Sequence, residues 1–192
     1  MSREELVAWA DESVAFCGLD LTRISTVLLC QAYRLQIHRI FDTFTLTHPI
    51  KVLEGASPSN GTPPADQFRH APLTGLYKKH FTGPGFLVKN LLNFLLSDKN
   101  NHYLKNVYAE AACASGSGCV DEIFTKYLSH HMVFDPYEIK YASNKMTGEW
   151  VVFHKHEGAN YYLTFASHTE KNDEIHKRVV TACDFDNLPF RL

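Results

Sequence analysis

Apolar residues recur along this chain at two different periods, and the change of period divides it into elements. Leu6, Trp9, Ala10 and Val14 repeat at helical spacing behind Ser2-Arg3-Glu4-Glu5, where Ser and Glu three residues apart form a capping box, and Gly18 ends the run. Ile24, Leu28, Ala32, Leu35, Phe41 and Phe44 mark a second, longer helix begun by Asp20 or Thr22, so residues 1–46 predict an antiparallel helical hairpin. From Thr47 to Gln67 the pattern stops. Pro49, Gly55, Pro58, Asn60-Gly61 and Pro63-Pro64 predict a long mobile loop there. Helical spacing returns at Phe86–Leu96, ending near Ser97-Asp98-Lys99-Asn100, and again at Tyr103–Ala114 and Val120–Met132. Phe134–Ala142 is expected to include a short strand. The last helix is expected at Glu174–Cys183, capped by Asn172 or Asp173, with an apolar tail through Phe190 docking on the body.

Period two appears in Thr147–Glu170. Two runs rich in Val, Phe, Tyr, Trp and Thr flank Glu157-Gly158-Ala159-Asn160, the pattern of an antiparallel β-hairpin. With Gly158-Ala159 as a two-residue type II′ turn, Trp150 faces Ser167, Val152 faces Phe165, His154 faces Leu163 and His156 faces Tyr161. On the opposite face Glu149 then meets His168, a carboxylate and an imidazole placed to share a proton near neutral pH. The fold class that follows is α+β. An N-terminal helical hairpin and further helices pack on a small antiparallel sheet containing the 148–168 hairpin, with a C-terminal helix.

At 192 residues the chain suits a single domain: residues 1–46 as helical hairpin, 47–67 as loop and 68–192 as α+β body. No apolar run is long enough to span a bilayer, and Glu4, Glu5, Asp11, Glu12 and Asp20 disfavour a cleaved leader, so a soluble cytoplasmic protein with no membrane partner is expected. Cys17, Cys30, Cys113, Cys119 and Cys183 are odd in number and include no C-x-x-C pair, which argues against a disulfide framework and a zinc ribbon. His154 and His156 share a strand face at a spacing metal sites use, but no carboxylate cluster or H-E-x-x-H accompanies them, and no metal or other cofactor is expected.

Charge is what changes the functional picture. The net charge is −2, yet residues 69–106 hold Arg69, Lys78, Lys79, Lys89, Lys99 and Lys105 against Asp98 alone, and add His70, His80 and His102. A basic island in an acidic chain suits phosphate, nucleic acid or an acidic protein partner. Within it, Phe68–Phe81 clusters Arg69, His70, Lys78, Lys79 and His80, and Pro72, Gly75, Gly83, Pro84 and Gly85 fix turns on both sides, which predicts presentation from loops or a short helix. Arg69, Lys78 and Lys79 are the candidate anion-binding residues.

RNA cleavage by its own 2′-hydroxyl needs a base, an acid and a cation at the phosphate, without a cofactor. Candidate catalytic residues are Glu149 or His70 as base, His168 or His80 as acid, and Lys78 or Lys79 as the cation. Helices first and a late β-hairpin carrying Glu149 and His168, over Arg69–His168, resemble the barnase, EndoU, colicin and RelE group of small metal-independent ribonucleases. The resemblance is one of architecture and residue types, so it assigns no role by position. It implies RNA cleavage, in the manner of a toxin-like effector. The alternative is a non-catalytic protein that docks an acidic partner or nucleic acid through residues 69–106.

Overall fold

A four-stranded antiparallel sheet in the order β1-β2-β3-β4 separates two helical layers, an α+β architecture. This computed structural model describes every residue except 60, 98, 99 and 147; the side chains of 84, 85 and 101 are likewise not described. Asn60 of the expected loop, Asp98 and Lys99 of the basic segment and Thr147 at the head of the hairpin stretch therefore lie outside the described residues. Helix α1 (Arg3–Glu12) opens with the expected box: Ser2 accepts from the Glu5 amide while the Glu5 carboxylate accepts from the Ser2 amide. The long second helix is instead two, α2 (Thr26–Ile37) and α3 (Thr43–Leu53). Arg39 breaks the run with a φ of 54°, and Asp42 restarts it by accepting from the Thr45 amide at 2.8 Å. Helix α3 carries Pro49 inside it, so Thr47–Leu53 is helical rather than loop.

Strands β1 (Asp66–Gln67) and β2 (Tyr77–Phe81) follow, so the segment expected as loop or short helix contributes a strand. Helices α4 (Pro84–Leu95), α5 (Asn101–Ser115) and α6 (Glu122–Ala142) form a cluster beside the sheet. Asp121 caps α6, and the helix runs through Pro136, so the strand expected in 134–142 is helix. The hairpin, β3 (Glu149–His156) and β4 (Ala159–Ala166), leads to α7 (Asn172–Asp186).

The hairpin register differs from the expected one for two reasons. The turn is Glu157-Gly158, with φ of 49° and 80°, the two positive values of a type I′ turn, so His156 pairs Ala159. A bulge then admits Leu163 as an extra residue: Phe153 pairs Tyr162 but Val152 pairs Thr164 and Trp150 pairs Ala166. Side chains alternate across the pleat. Phe81, Val151, Phe153, Tyr162 and Phe165 pack with Leu6, Leu28, Leu29, Leu46 and Ile50 under α1–α3. Val152, Leu163 and Ala166 pack with Phe68, Leu73 and Leu76 and with Ile175, Val179 and Cys183 of α7. Leu188 and Phe190 join that second layer, so the tail docks as expected.

Both ends of the chain are tied to the start of α2. The Asp186 carboxylate accepts from the Thr26 amide at 2.7 Å and from Arg3 Nη1 at 3.0 Å. The outer edge of β4 is satisfied internally over Tyr162–Phe165: Ser25 N donates to Tyr162 O, Ser25 Oγ to Leu163 O, and the Gln31 amide exchanges hydrogen bonds with the Phe165 backbone. Among the described residues no helix is long and apolar enough to cross a membrane.

Candidate functional site

Strand pairing decides which polar groups meet. β2 lies against β3 with His80 opposite Trp150 and Lys78 opposite Val152, so Lys78, His80 and Trp150 emerge on one face. Trp150 in turn lies opposite Ala166, and the chain reaches His168 two residues later. The His80 and His168 rings are 5.2 Å apart between centroids, and Trp150 lies 4.2 Å from His168 and 6.1 Å from His80. The basic segment and the hairpin thus converge through β2.

The two imidazoles have unequal environments. His80 is half-buried, and its Nδ1 lies 3.3 Å from the Gly148 carbonyl. A neutral ring that donates from Nδ1 keeps its lone pair on Nε2. Burial first, and then the neighbouring His168, push His80 down to about 4 from 6.5, with Lys78 and Lys79 adding to the fall. His168 is exposed; its pKa is also lowered, chiefly by desolvation, but the Gly148 carbonyl and the Glu149 carboxylate favour its charged form while Lys89 and Lys78 oppose it. Gly148 is fixed at this junction by lack of space, because a Cβ there would meet the Phe81 carbonyl oxygen at 1.7 Å.

Glu149 does not face the His168 ring as the expected register required. Its Oε2 accepts from the His168 backbone amide at 2.9 Å and its Oε1 from Ser167 Oγ at 3.1 Å, so it holds the turn that carries the imidazole. Lys78 Nζ sits 4.7 Å from the Trp150 ring and 5.1 Å from Phe68, a cation steadied by two aromatic rings. A cleft of about 360 Å³ that shares the Trp150 wall is lined by Arg69, His70 and Lys78 together with Phe68 and Asn172 at the start of α7. Arg69 and His70 are therefore neighbours of the imidazole pair across Trp150, and His70 makes no ring contact with either imidazole among the described residues. Asp66 and Gln67 also line this cleft, and Asp66 accepts from the Gln67 amide at 2.9 Å.

Lys79 is a correction to the anion-binding set. Alternation turns it to the opposite face, where it is 3% exposed and its Nζ donates to Pro63 O at 2.7 Å and Thr62 Oγ1 at 2.9 Å. Sequence reasoning assigned no role here to Trp150, Phe68 or Lys89; the signal for the last was its place in the basic island. His154 and His156 lie against Phe190, with centroids 4.3 and 5.4 Å away, and among the described residues no group of three His, Cys, Asp or Glu side chains gathers at metal-binding distance. No protein-family model, curated protein or solved structure matches the chain.

Proposed function

We propose that this site cleaves RNA at its phosphodiester bonds, with His80 as the base, His168 as the acid and Lys78 as the cation at the phosphate. The observation that carries the proposal is the imidazole pair, 5.2 Å apart, whose two environments separate the rings into a half-buried one and an exposed one. His80 Nε2 takes the 2′-hydroxyl proton as the 2′-oxygen attacks phosphorus. The bond to the 5′-oxygen breaks, and that oxygen leaves with a proton from His168, giving a 2′,3′-cyclic phosphate and a 5′-hydroxyl. A bound phosphate supplies the negative charge that favours protonated His168. Glu149 positions His168 through its backbone amide, and Lys78 neutralises the developing charge.

Purified protein incubated with RNA, with and without chelator, tests this. Cleavage should persist with chelator and leave 2′,3′-cyclic phosphate ends, and His168→Ala should slow it by roughly 100-fold or more. Cleavage that stops with chelator, or an unaffected His168→Ala variant, refutes the assignment. The lowered basicity of both rings favours a second reading, a non-catalytic anion-binding protein, because it withholds a ready proton donor in the free protein. RNA bound and left intact would support that reading.

A further inference from the structure

Past the imidazole pair, the cleft beyond Trp150 holds more positive charge than one scissile phosphate uses. Arg69 and His70 are exposed on its wall, Lys78 projects between the two sites, and none of the three forms an ion pair among the described residues. Lys89 of α4 adds its field at His168. Two permanent cations, Arg69 and Lys78, therefore line the cleft, with His70 beside them. The volume of about 360 Å³ falls in the lower part of the range that encloses a small organic unit, roughly 300–1,000 Å³. The one carboxylate on the wall, Asp66, accepts from the neighbouring Gln67 amide.

The aromatic groups here are already engaged. Trp150 has Lys78 over its ring, His168 against it at 4.2 Å and Phe68 edge-on at 5.7 Å, while Phe68 shares the same lysine. A strand reader without sequence preference that stacks bases needs open ring faces. What this cleft offers is charge, and charge contacts to phosphate position a strand without reading its bases.

We infer that the cleft of Arg69, His70 and Lys78 is a second phosphate subsite, which holds the phosphate next to the scissile one and recognises the strand by its backbone alone. This rests on the cleavage proposed above, and it makes the substrate class an extended polynucleotide strand rather than a single nucleotide. An acidic peptide would match the charge as well, so competition by one is an outcome of the test below.

Deoxyribonucleotide strands test the subsite apart from the chemistry, since they lack the attacking 2′-hydroxyl. Fluorescence anisotropy of labelled oligothymidylate and oligodeoxyadenylate, titrated across salt concentrations, should give similar affinities for the two. Arg69→Ala should weaken both alike and flatten the dependence of log affinity on log salt by about 0.7, the share of one phosphate on a single strand. His70→Ala should weaken both in the same direction. Lys105→Ala, which removes one exposed charge from α5, should leave that dependence in place. An unchanged slope in Arg69→Ala, a loss confined to one homopolymer, or equal displacement of the strand by poly-L-glutamate overturns the inference. Failure to cut RNA with these binding results intact removes the catalytic proposal and leaves the subsite standing; cleavage with an unaffected Arg69→Ala slope does the reverse.

Discussion

Lowering the pH from about 7.5 to about 4.5 should cost this protein stability through His80, and the sign follows from linkage. The ring falls to about 4 in the folded chain against an ordinary 6.5, first because burial penalises its charged form and then because His168 adjoins it. The unfolded chain therefore holds the proton more tightly. Stability from the neutral, buried ring is fully present above 6.5 and drains away as the pH falls toward 4. Each pH unit between the two values is worth about 1.4 kcal/mol, a ceiling of roughly 3 kcal/mol. Because the ring is only part-buried, solvent screening leaves about 1.5–2 kcal/mol. Urea denaturation of the parent and of His80→Gln at both pH values measures the difference. Glutamine keeps a donor for the Gly148 carbonyl and does not titrate, while His48 and His154, also lowered by burial, move both proteins alike. The parent should lose about 1.5–2 kcal/mol more than the variant on acidification. Parallel losses would show that the His80 ring is solvated in solution, and the assignment of His80 as the buried neutral partner would fall with it.

Two further substitutions probe the frame. Asp186→Ala should destabilise by about 3 kcal/mol in chemical denaturation, because the carboxylate is 2% exposed and its loss strands both Arg3 and the Thr26 amide; a loss within error would show the clasp to be solvated. Lys79→Met should change stability by less than about 1 kcal/mol, since an apolar chain of similar length replaces a buried cation whose ammonium donates to neutral oxygens of Thr62 and Pro63. The same variant should leave the salt dependence of strand binding untouched, whereas Lys78→Met should flatten it by about 0.7, one phosphate's share. Equal effects from the two would mean that the strand does not alternate as described.

Much of the frame was legible because local rules agreed with the tertiary fold: the α1 capping box, the hairpin's place in the chain, a helix beginning near Val120 and the C-terminal helix. Where they disagreed, packing won. Pro49 read as a break, yet it is buried inside α3, and the strand expected in 134–142 is part of α6, which carries a buried Pro136. Tyr77–Phe81 hid as a strand because two lysines and a histidine occupy three of its five positions, and only pairing with β3 shows that Lys79 is inward. In the hairpin the turn began one residue earlier than glycine alone suggested, at a glutamate with positive φ, and the bulge at Leu163 then shifted the register back by one. That residual slip moved Glu149 from the His168 ring to its backbone. The convergence of His80 with His168 was beyond reach of the sequence, since it depends on β2 and β3 being neighbours across a gap filled by three helices.

The sealed flank of β4 limits how copies of this chain can meet. A sheet grows when a bare rim of amides and carbonyls accepts a newcomer's backbone. Here Ser25 and Gln31 already occupy those groups, and at the other rim β1 offers two residues. Concentrated protein is thus guarded against ribbon-like aggregation along Tyr162–Phe165, where a newcomer's backbone would have to displace Ser25 and Gln31.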